Sequence, residues 1–408
     1  MVINRLKINR FLLSVIFFLV FLGFYAILLV LFNAGMAGFT RQVTIPIRVI
    51  IGLSLISLVF LNYKQIKVIS ETRWFLFFAF LYVLRVVIDF YLKEKYYVST
   101  SEILFYFISF AVIPFVSLST FRFNEKYLST ILNTIFFSGL IFSVLAILLY
   151  RSFIGQTSRL TSSAVGEDVI SPLALSYCAT FIIGVLTAYF LYNKKTGKRK
   201  KMIGFGIIGL AVVPFFLGAS RGSLVALFLP FIMIFFSGKG IRFFIKSGFA
   251  AVVILLGIVY LSEYFGSGLL NRFLNISEDI ESGSSSAIRF QIWESSFSQF
   301  LYHPIFGDKL RVEFWNGYPH NLFLEVLQTM GLLGFIPFFI LTFNAVKACF
   351  RIFRYHPKYA WVAIIFLQSF IHNMFSGAIY TAAWFWASMA FLLAARIFME
   401  KKRLHENY

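Results

Sequence analysis

The segment WNGYPHN at 315–321 sets a histidine where a polar cluster meets an apolar stretch. An imidazole titrates near neutral pH, so His320 can accept a proton from an attacking hydroxyl. Pro319 restricts the residue before it and favours a defined entry into a helix. The same spacing has a plainer reading, with Asn321 as an N-terminal cap and His320 as an interfacial anchor. Glu325 falls one turn beyond Asn321 and can share a face with His320 or Asn321. A buried carboxylate there needs a partner. Orienting the histidine or pairing with an arginine would each supply one, and a purely structural ion pair is the alternative.

Arginines supply the rest of the chemistry. Arg221 sits in Ser220-Arg221-Gly222, a very short connection between two apolar runs, where small neighbours leave room for a large ligand. A guanidinium grips phosphate through a planar, bidentate fork, so a pyrophosphate clamp is the expected use and a snorkelling arginine the alternative. Arg159, within 156–172, and Arg289 and Arg311, within the longest polar stretch, fall on the same side. Bases gathered there suggest an anionic ligand, although each can instead pair with a loop acid or a lipid headgroup. Arg85 and Asp89 have the four-residue spacing of a helical salt bridge and are read as structural. His303, before Pro304, and His372, beside Asn373, satisfy local hydrogen bonds in this reading, while His356 and His405 lie on the opposite side. The sequence holds no P-loop, HExxH, GxSxG, nucleotide fingerprint or close carboxylate cluster, so no cofactor and no metal is expected.

The elements that must hold these groups follow from composition. Of 408 residues, 60% are hydrophobic, 13% are charged and 55 are Phe. A soluble globular domain carries about 25% charged residues, so that class is excluded, as is a disordered chain. Apolar runs long enough to cross a bilayer recur at 11–34, 43–62, 73–91, 101–120, 127–150, 169–192, 202–218, 222–238, 243–262, 319–345, 359–376 and 378–396. The expectation is an all-α polytopic transmembrane bundle of about 12 spans: one membrane domain over 1–408, with one large periplasmic loop at 263–318. The first run reads as a retained span rather than a signal peptide. Cys178 and Cys349 alone suggest no disulfide framework.

A net charge of +20 would point a soluble chain toward nucleic acid. Here it sorts by side. Twenty-five of the 37 bases, KKTGKRKK at 194–201 among them, fall on the side assigned to the cytoplasm together with both termini, and ten fall opposite. That is the positive-inside pattern, and nucleic acid is not an expected partner. Within the loop, seven acids face four bases, and 287–303 spaces Ile288, Ile292, Trp293 and Phe297 as an amphipathic helix over the bundle mouth. The alternative is an exposed loop that buries a few aromatics.

Three blocks then carry a likeness: GQTSRLTSS with SPLALSY in 155–177, FLGASRGSLVA in 216–226, and AIRFQIWESSFSQFLYHPIFGDKL with YPHNLFLEVLQTMGLLGF in 287–335. In these the chain resembles the O-antigen ligase and polymerase superfamily of bacterial surface-polysaccharide assembly. The resemblance implies a twelve-helix inner-membrane glycosyltransferase, active on the periplasmic face, whose donor is an undecaprenyl-diphosphate-linked oligosaccharide. It implies that Arg221 contacts the diphosphate, that His320 deprotonates or orients the acceptor hydroxyl, and that Arg159, Arg289 and Arg311 assist at the mouth. Asn321 and Glu325 join them as substrate-side residues. The implied reaction is metal-independent, inverting polymerisation of lipid-linked repeat units. Ligation to a lipid A-core acceptor is the alternative, and a polytopic transporter of lipid-linked glycans is the rival from another class. Membrane lipids and a chain-length regulator are the further implied partners. Two departures stand out: Gln328-Thr329 where an acid often precedes the GLLG turn, and Glu167-Asp168 where a Pro-Asn pair is common.

Overall fold

The computed structural model describes residues 5–94, 96–166, 168–236, 257–275 and 285–406. Lys95, Glu167, the bases at 239–246, most of the run 243–262, and Glu278, Asp279 and Glu281 lie outside the described residues. The chain forms α1 (Arg5–Val20), α2 (Leu22–Asn33), α3 (Thr40–Leu61), α4 (Ser70–Tyr91), α5 (Thr100–Phe107), α6 (Ile113–Thr120), α7 (Glu125–Tyr150) and α8 (Pro172–Tyr192). It continues with α9 (Lys198–Gly218), α10 (Arg221–Phe236), α11 (Leu269–Leu274), α12 (Ser285–Tyr302), α13 (Leu322–Tyr355), α14 (Ala360–Ser376) and α15 (Ala383–Glu406). Among the described residues no strand occurs.

The protein is an all-α polytopic membrane bundle. Among the described residues eight helices are long and apolar enough to cross a bilayer, and the α1–α2 pair, bent by 50°, makes a ninth if it is one crossing. Four of the twelve expected runs fall outside this count. Phe21 leaves helical geometry and breaks the first run, α14 has 17 residues, α10 is described over 16 residues, Arg221–Phe236, and the run 243–262 is described only from 257. The fourth run stays continuous by widening: a π-helical turn at Ile108–Val112 joins α5 to α6 just before Pro114, whose ring cannot accept the regular ladder.

Two compact units are interleaved along the chain. The first comprises Met1–Ser54, Asn124–Leu274 and Cys349–Gln368. Its polar side chains bond within the helices' own interfaces: Asn9 donates to the Tyr127 hydroxyl at 3.1 Å, Arg10 to Thr130 at 2.8 Å, and Gln368 to the Thr180 carbonyl at 2.9 Å. Ala179, Phe215, Phe216, Leu224, Leu227, Ile258 and Leu269 form a core that packs α8, α9, α10 and the 257–275 segment together.

The second unit comprises Leu55–Phe123, Asn275–Ala348 and Ser369–Tyr408. Here the phenylalanine-rich composition becomes an aromatic core. Phe75 stacks on Phe115 at 3.9 Å between centroids, and Trp386 lies 5.3, 5.5 and 6.1 Å from Phe75, Phe78 and Phe338. An indole N–H buried in such a core needs an acceptor, and Trp386 donates to the Ile379 carbonyl at 2.9 Å.

α13 is broken. Gly331 has φ +57° and ψ −155°, which frees backbone N–H groups that the returning loop satisfies: Leu332 donates to the Pro304 carbonyl at 2.8 Å and Leu333 to that of Ile305 at 3.1 Å. A Cβ at Gly331 would lie 2.6 Å from the Ile305 carbonyl, so only glycine lets loop and helix meet so closely.

Candidate functional site

The first unit gathers charge at one helix junction. α9 ends at Gly218, and its last carbonyls have no partner within the helix. They are satisfied from outside. The Ser267 hydroxyl donates to Phe216 at 2.7 Å, the Leu160 N–H to Leu217 at 2.9 Å, Arg159 Nε to Gly218 at 3.3 Å and Arg272 Nη1 to Ala219 at 3.4 Å. Arg221 Nε donates in turn to the Arg272 carbonyl. Three guanidinium groups thus surround one turn. Ala219 makes the turn possible by adopting φ +41°, a left-handed conformation costly for a residue with a Cβ. Arg221 then opens α10, whose first N–H groups and dipole favour an anion.

The second unit holds the histidine. Asn321 caps α13, its Oδ1 accepting from the N–H of Phe323 at 3.0 Å and of Leu324 at 3.3 Å. The capping alternative therefore describes its side chain. Trp293 Nε1 of α12 donates to the Pro319 carbonyl at 2.8 Å and fixes the preceding residue. Between these restraints His320 sits at φ +58°, in the left-handed region. Its ring meets Tyr318 edge-on at 4.4 Å between centroids. Tyr318 neighbours Tyr97 and Tyr380, whose hydroxyls share a 2.8 Å hydrogen bond. Burial, then the positive charge of Arg289, holds the imidazole down to about 4, so it is neutral at physiological pH. Burial likewise keeps the Tyr318 phenol protonated. Arg289 lies one turn before Trp293 on α12, is half-buried, and makes no ion pair among the described residues.

Glu325 is 1% exposed and has a different partner from those expected. Its Oε2 accepts from the Ile379 N–H at 2.9 Å, and among the described residues it pairs with neither a histidine nor an arginine. Ile379 belongs to the irregular segment between α14 and α15. Glu325 and Trp386 together satisfy both of its backbone polar groups, as a buried non-helical segment requires.

Arg311 and the Arg85–Asp89 pair hold the loop in place. Arg311 binds Glu94 through Nη2 at 3.0 Å and Nε at 3.1 Å. Arg85 pairs with Asp89 at 3.4 Å and donates to the carbonyls of Phe306, Gly307 and Asp308, while Asp89 accepts from the Leu310 N–H at 2.8 Å. Gln328, one of the two departures, accepts from Ser296 at 2.8 Å and donates to the Lys309 carbonyl at 3.0 Å, tying α12 and the loop to α13.

The helix at 287–303 forms, as α12, with a different buried face from the one expected. Ile292 is 1% exposed, but Ile288 and Phe297 are 38% and 46% exposed, and Ser296 and Gln299 take the inward positions. The helix packs on a polar loop, so its inner face carries hydrogen-bonding groups. On the face opposite Arg289 and Trp293, a cavity of about 500 Å³ is lined by Gln291, Glu294, Ser298, Tyr302, Asp308 and Phe314 among others.

Sequence reasoning missed Arg272, Tyr97, Tyr380 and Trp293. The four-residue spacing of Arg289 and Trp293 was a usable signal for the last. Among the described residues no group of His, Cys, Asp or Glu is arranged to hold a metal ion.

These features describe a polytopic helical membrane protein with an anion-attracting helix junction in its first unit and a half-buried neutral imidazole at the head of a broken helix in its second. Residues 206–339, about a third of the chain, match the family described as O-antigen ligase, and that segment is homologous to it. The matched segment takes in Arg221, Arg272, Arg289, Arg311, His320, Asn321 and Glu325 and leaves Arg159 outside. No curated protein matches the chain.

Proposed function

We propose that the protein is an inner-membrane glycosyltransferase that moves a glycan from a lipid diphosphate to an acceptor hydroxyl on the periplasmic face. The observation that carries this reading is His320. It is neutral at working pH, locked in an unusual backbone conformation, and placed under the charge of Arg289 within the homologous segment. Strained residues cluster where function over-determines them.

In the proposed step the acceptor oxygen attacks the anomeric carbon, its proton passes to His320, and the bond to the diphosphate breaks. Arg221 takes the charge developing on the leaving diphosphate, with Arg159 and Arg272 shaping the turn that presents it. Direct displacement inverts the anomeric centre. A donor diphosphate resting on Arg289 offsets the charge that depresses His320, so binding the donor strengthens the base. Glu325 acts by positioning the 377–382 segment and not by touching substrate.

The family description of 206–339 favours transfer to lipid A-core. Polymerisation, the sequence reading's first choice, uses the same donor and the same two residues. Reconstitution with purified undecaprenyl-diphosphate-linked repeat units, with and without lipid A-core, separates the two. Product only with core supports ligation, and elongation without core supports polymerisation. Movement of intact donor across the bilayer without bond cleavage overturns the glycosyltransferase reading.

A further inference from the structure

The second unit has a smaller cavity at the end of α4 and α15 away from His320. Asp89 at the end of α4 and Tyr380 just before α15 belong to the histidine end, whereas the residues preceding α4 and ending α15 line this cavity. The 22 residues of α4, at about 1.5 Å each, separate the ends by about 33 Å, the depth of a bilayer core. The cavity encloses about 110 Å³. That is room for one phosphate group and its ester carbons, and too little for a saccharide chain.

Three cations from separate segments line it: Lys67 before α4, Arg122 after α6 and Lys401 in α15. Ser119 and Thr120 add hydroxyls and Phe121 an apolar wall. The carboxylates that would neutralise the cluster are engaged elsewhere. Glu71 binds Arg396 at 3.3 Å, and Glu400 lies 3.8 Å from the same guanidinium. Among the described residues Lys67, Arg122 and Lys401 form no ion pair.

Converging like charges repel, and an anion relieves that repulsion. The positive-inside rule asks only for bases at this end of the bundle, where they can snorkel apart into water. It does not ask for three of them to share one walled cavity while the nearby acids pair with a fourth base. A soluble anion would leave the apolar wall unused, whereas an anion tethered to hydrocarbon uses both surfaces. We propose that this cavity binds the phosphate headgroup of an acidic membrane phospholipid. The proposal is independent of the transfer reaction.

The test uses the full chain in lipid nanodiscs and in detergent, with phosphatidylglycerol, phosphatidylcholine and inorganic phosphate as probes. Native mass spectrometry counts retained lipid, and thermal unfolding reports stabilisation. Phosphatidylglycerol is expected to be retained and to raise the midpoint, with the other two probes inactive. Each of Lys67→Gln, Arg122→Gln and Lys401→Gln should weaken retention about fivefold, and the triple variant on the order of a hundredfold. Lys64→Gln and Lys126→Gln, equal charge changes outside the cavity, should leave it unchanged. All five positions are exposed, so the single variants keep the test decisive should the triple variant fold poorly. Equal retention of phosphatidylglycerol by wild type and the single variants overturns the proposal, as does equal retention of phosphatidylcholine. Full effect from inorganic phosphate alone overturns the lipid assignment.

Discussion

The two turns that open α10 and α13 use one backbone device for opposite electrostatic ends. Each places a non-glycine residue in the left-handed region next to a helix start, Ala219 at φ +41° and His320 at φ +58°. In the first unit the strained residue is a bystander. It swings Arg221 to the head of α10 and exposes helix-end carbonyls that draw in Arg159 and Arg272. In the second unit the strained residue is the proposed base, and its surroundings strip away charge instead of collecting it. A cation cluster made by capping a helix costs little, because carbonyls welcome it. The half-buried neutral imidazole depends on its surroundings: Tyr318 meets its ring, while Trp293 and the Asn321 cap hold the backbone on either side of it.

The comparison is broken most sharply at His320. His320→Asn keeps a residue that tolerates the left-handed region and removes the base. Transfer should fall by about 10²–10⁴-fold, with the unfolding midpoint held near wild type. Retained transfer in this variant would remove His320 from the chemistry. Arg221→Ala comes next, with an expected loss of about 10²–10³-fold in turnover at saturating donor. If the arginine turn only caps α9, Arg221→Ala lowers stability and leaves saturated turnover alone.

A smaller effect sharpens the electrostatic half. With the neutral imidazole as the proposed base, kcat/KM for the donor should hold until the pH falls toward about 4, where His320 of the donor-free protein becomes protonated. Arg289→Gln removes the secondary cause of the depression and should move this acid limb upward, toward the ordinary 6.5. Stability follows the same group. Between 6.5 and about 4 the unfolded chain binds a proton that the folded imidazole resists. Stability therefore rises with pH through that window and is lost as pH falls across it. A pH–rate profile of wild type and Arg289→Gln reads the first, and unfolding midpoints at several pH values read the second.

What was legible in the sequence is what local chemistry dictates. Runs of apolar residues specify membrane helices whatever they pack against, and Ser220-Arg221-Gly222 and Pro319-His320-Asn321 announce helix starts by residue type. The capping of α13 by Asn321 was readable on the same grounds. Tertiary choices were not. The break at Gly331 leaves the apolar run unbroken, so periodicity is blind to it, and only the family resemblance, through its GLLG turn, marks the place. The Tyr97–Tyr380 bond joins positions 283 apart. Ile288 and Phe297 mark an apolar stripe, yet α12 turns Ser296 and Gln299 inward, where they bond Gln328 of α13 and the Arg311 carbonyl of the loop. Arg272 looked like one base among the loop charges until α9 supplied a carbonyl for it.

Ala219→Gly carries the smallest effect and the finest distinction. Removing a buried methyl costs about 0.8 kcal/mol, and glycine gives up about 0.5–1 kcal/mol more in chain entropy than alanine. Relief of the left-handed alanine returns about 1–2 kcal/mol, so the midpoint should stay close to wild type, where an ordinary buried Ala→Gly change lowers it. Turnover should also persist, because the left-handed turn that presents Arg221 is the conformation glycine adopts most readily. A clear loss of stability would mean that the Ala219 methyl, packed in the core of the first unit, outweighs its strain. A loss of turnover at unchanged stability would mean that the arginine turn needs the stiffness of a side chain at that position, as the histidine turn needs its packing.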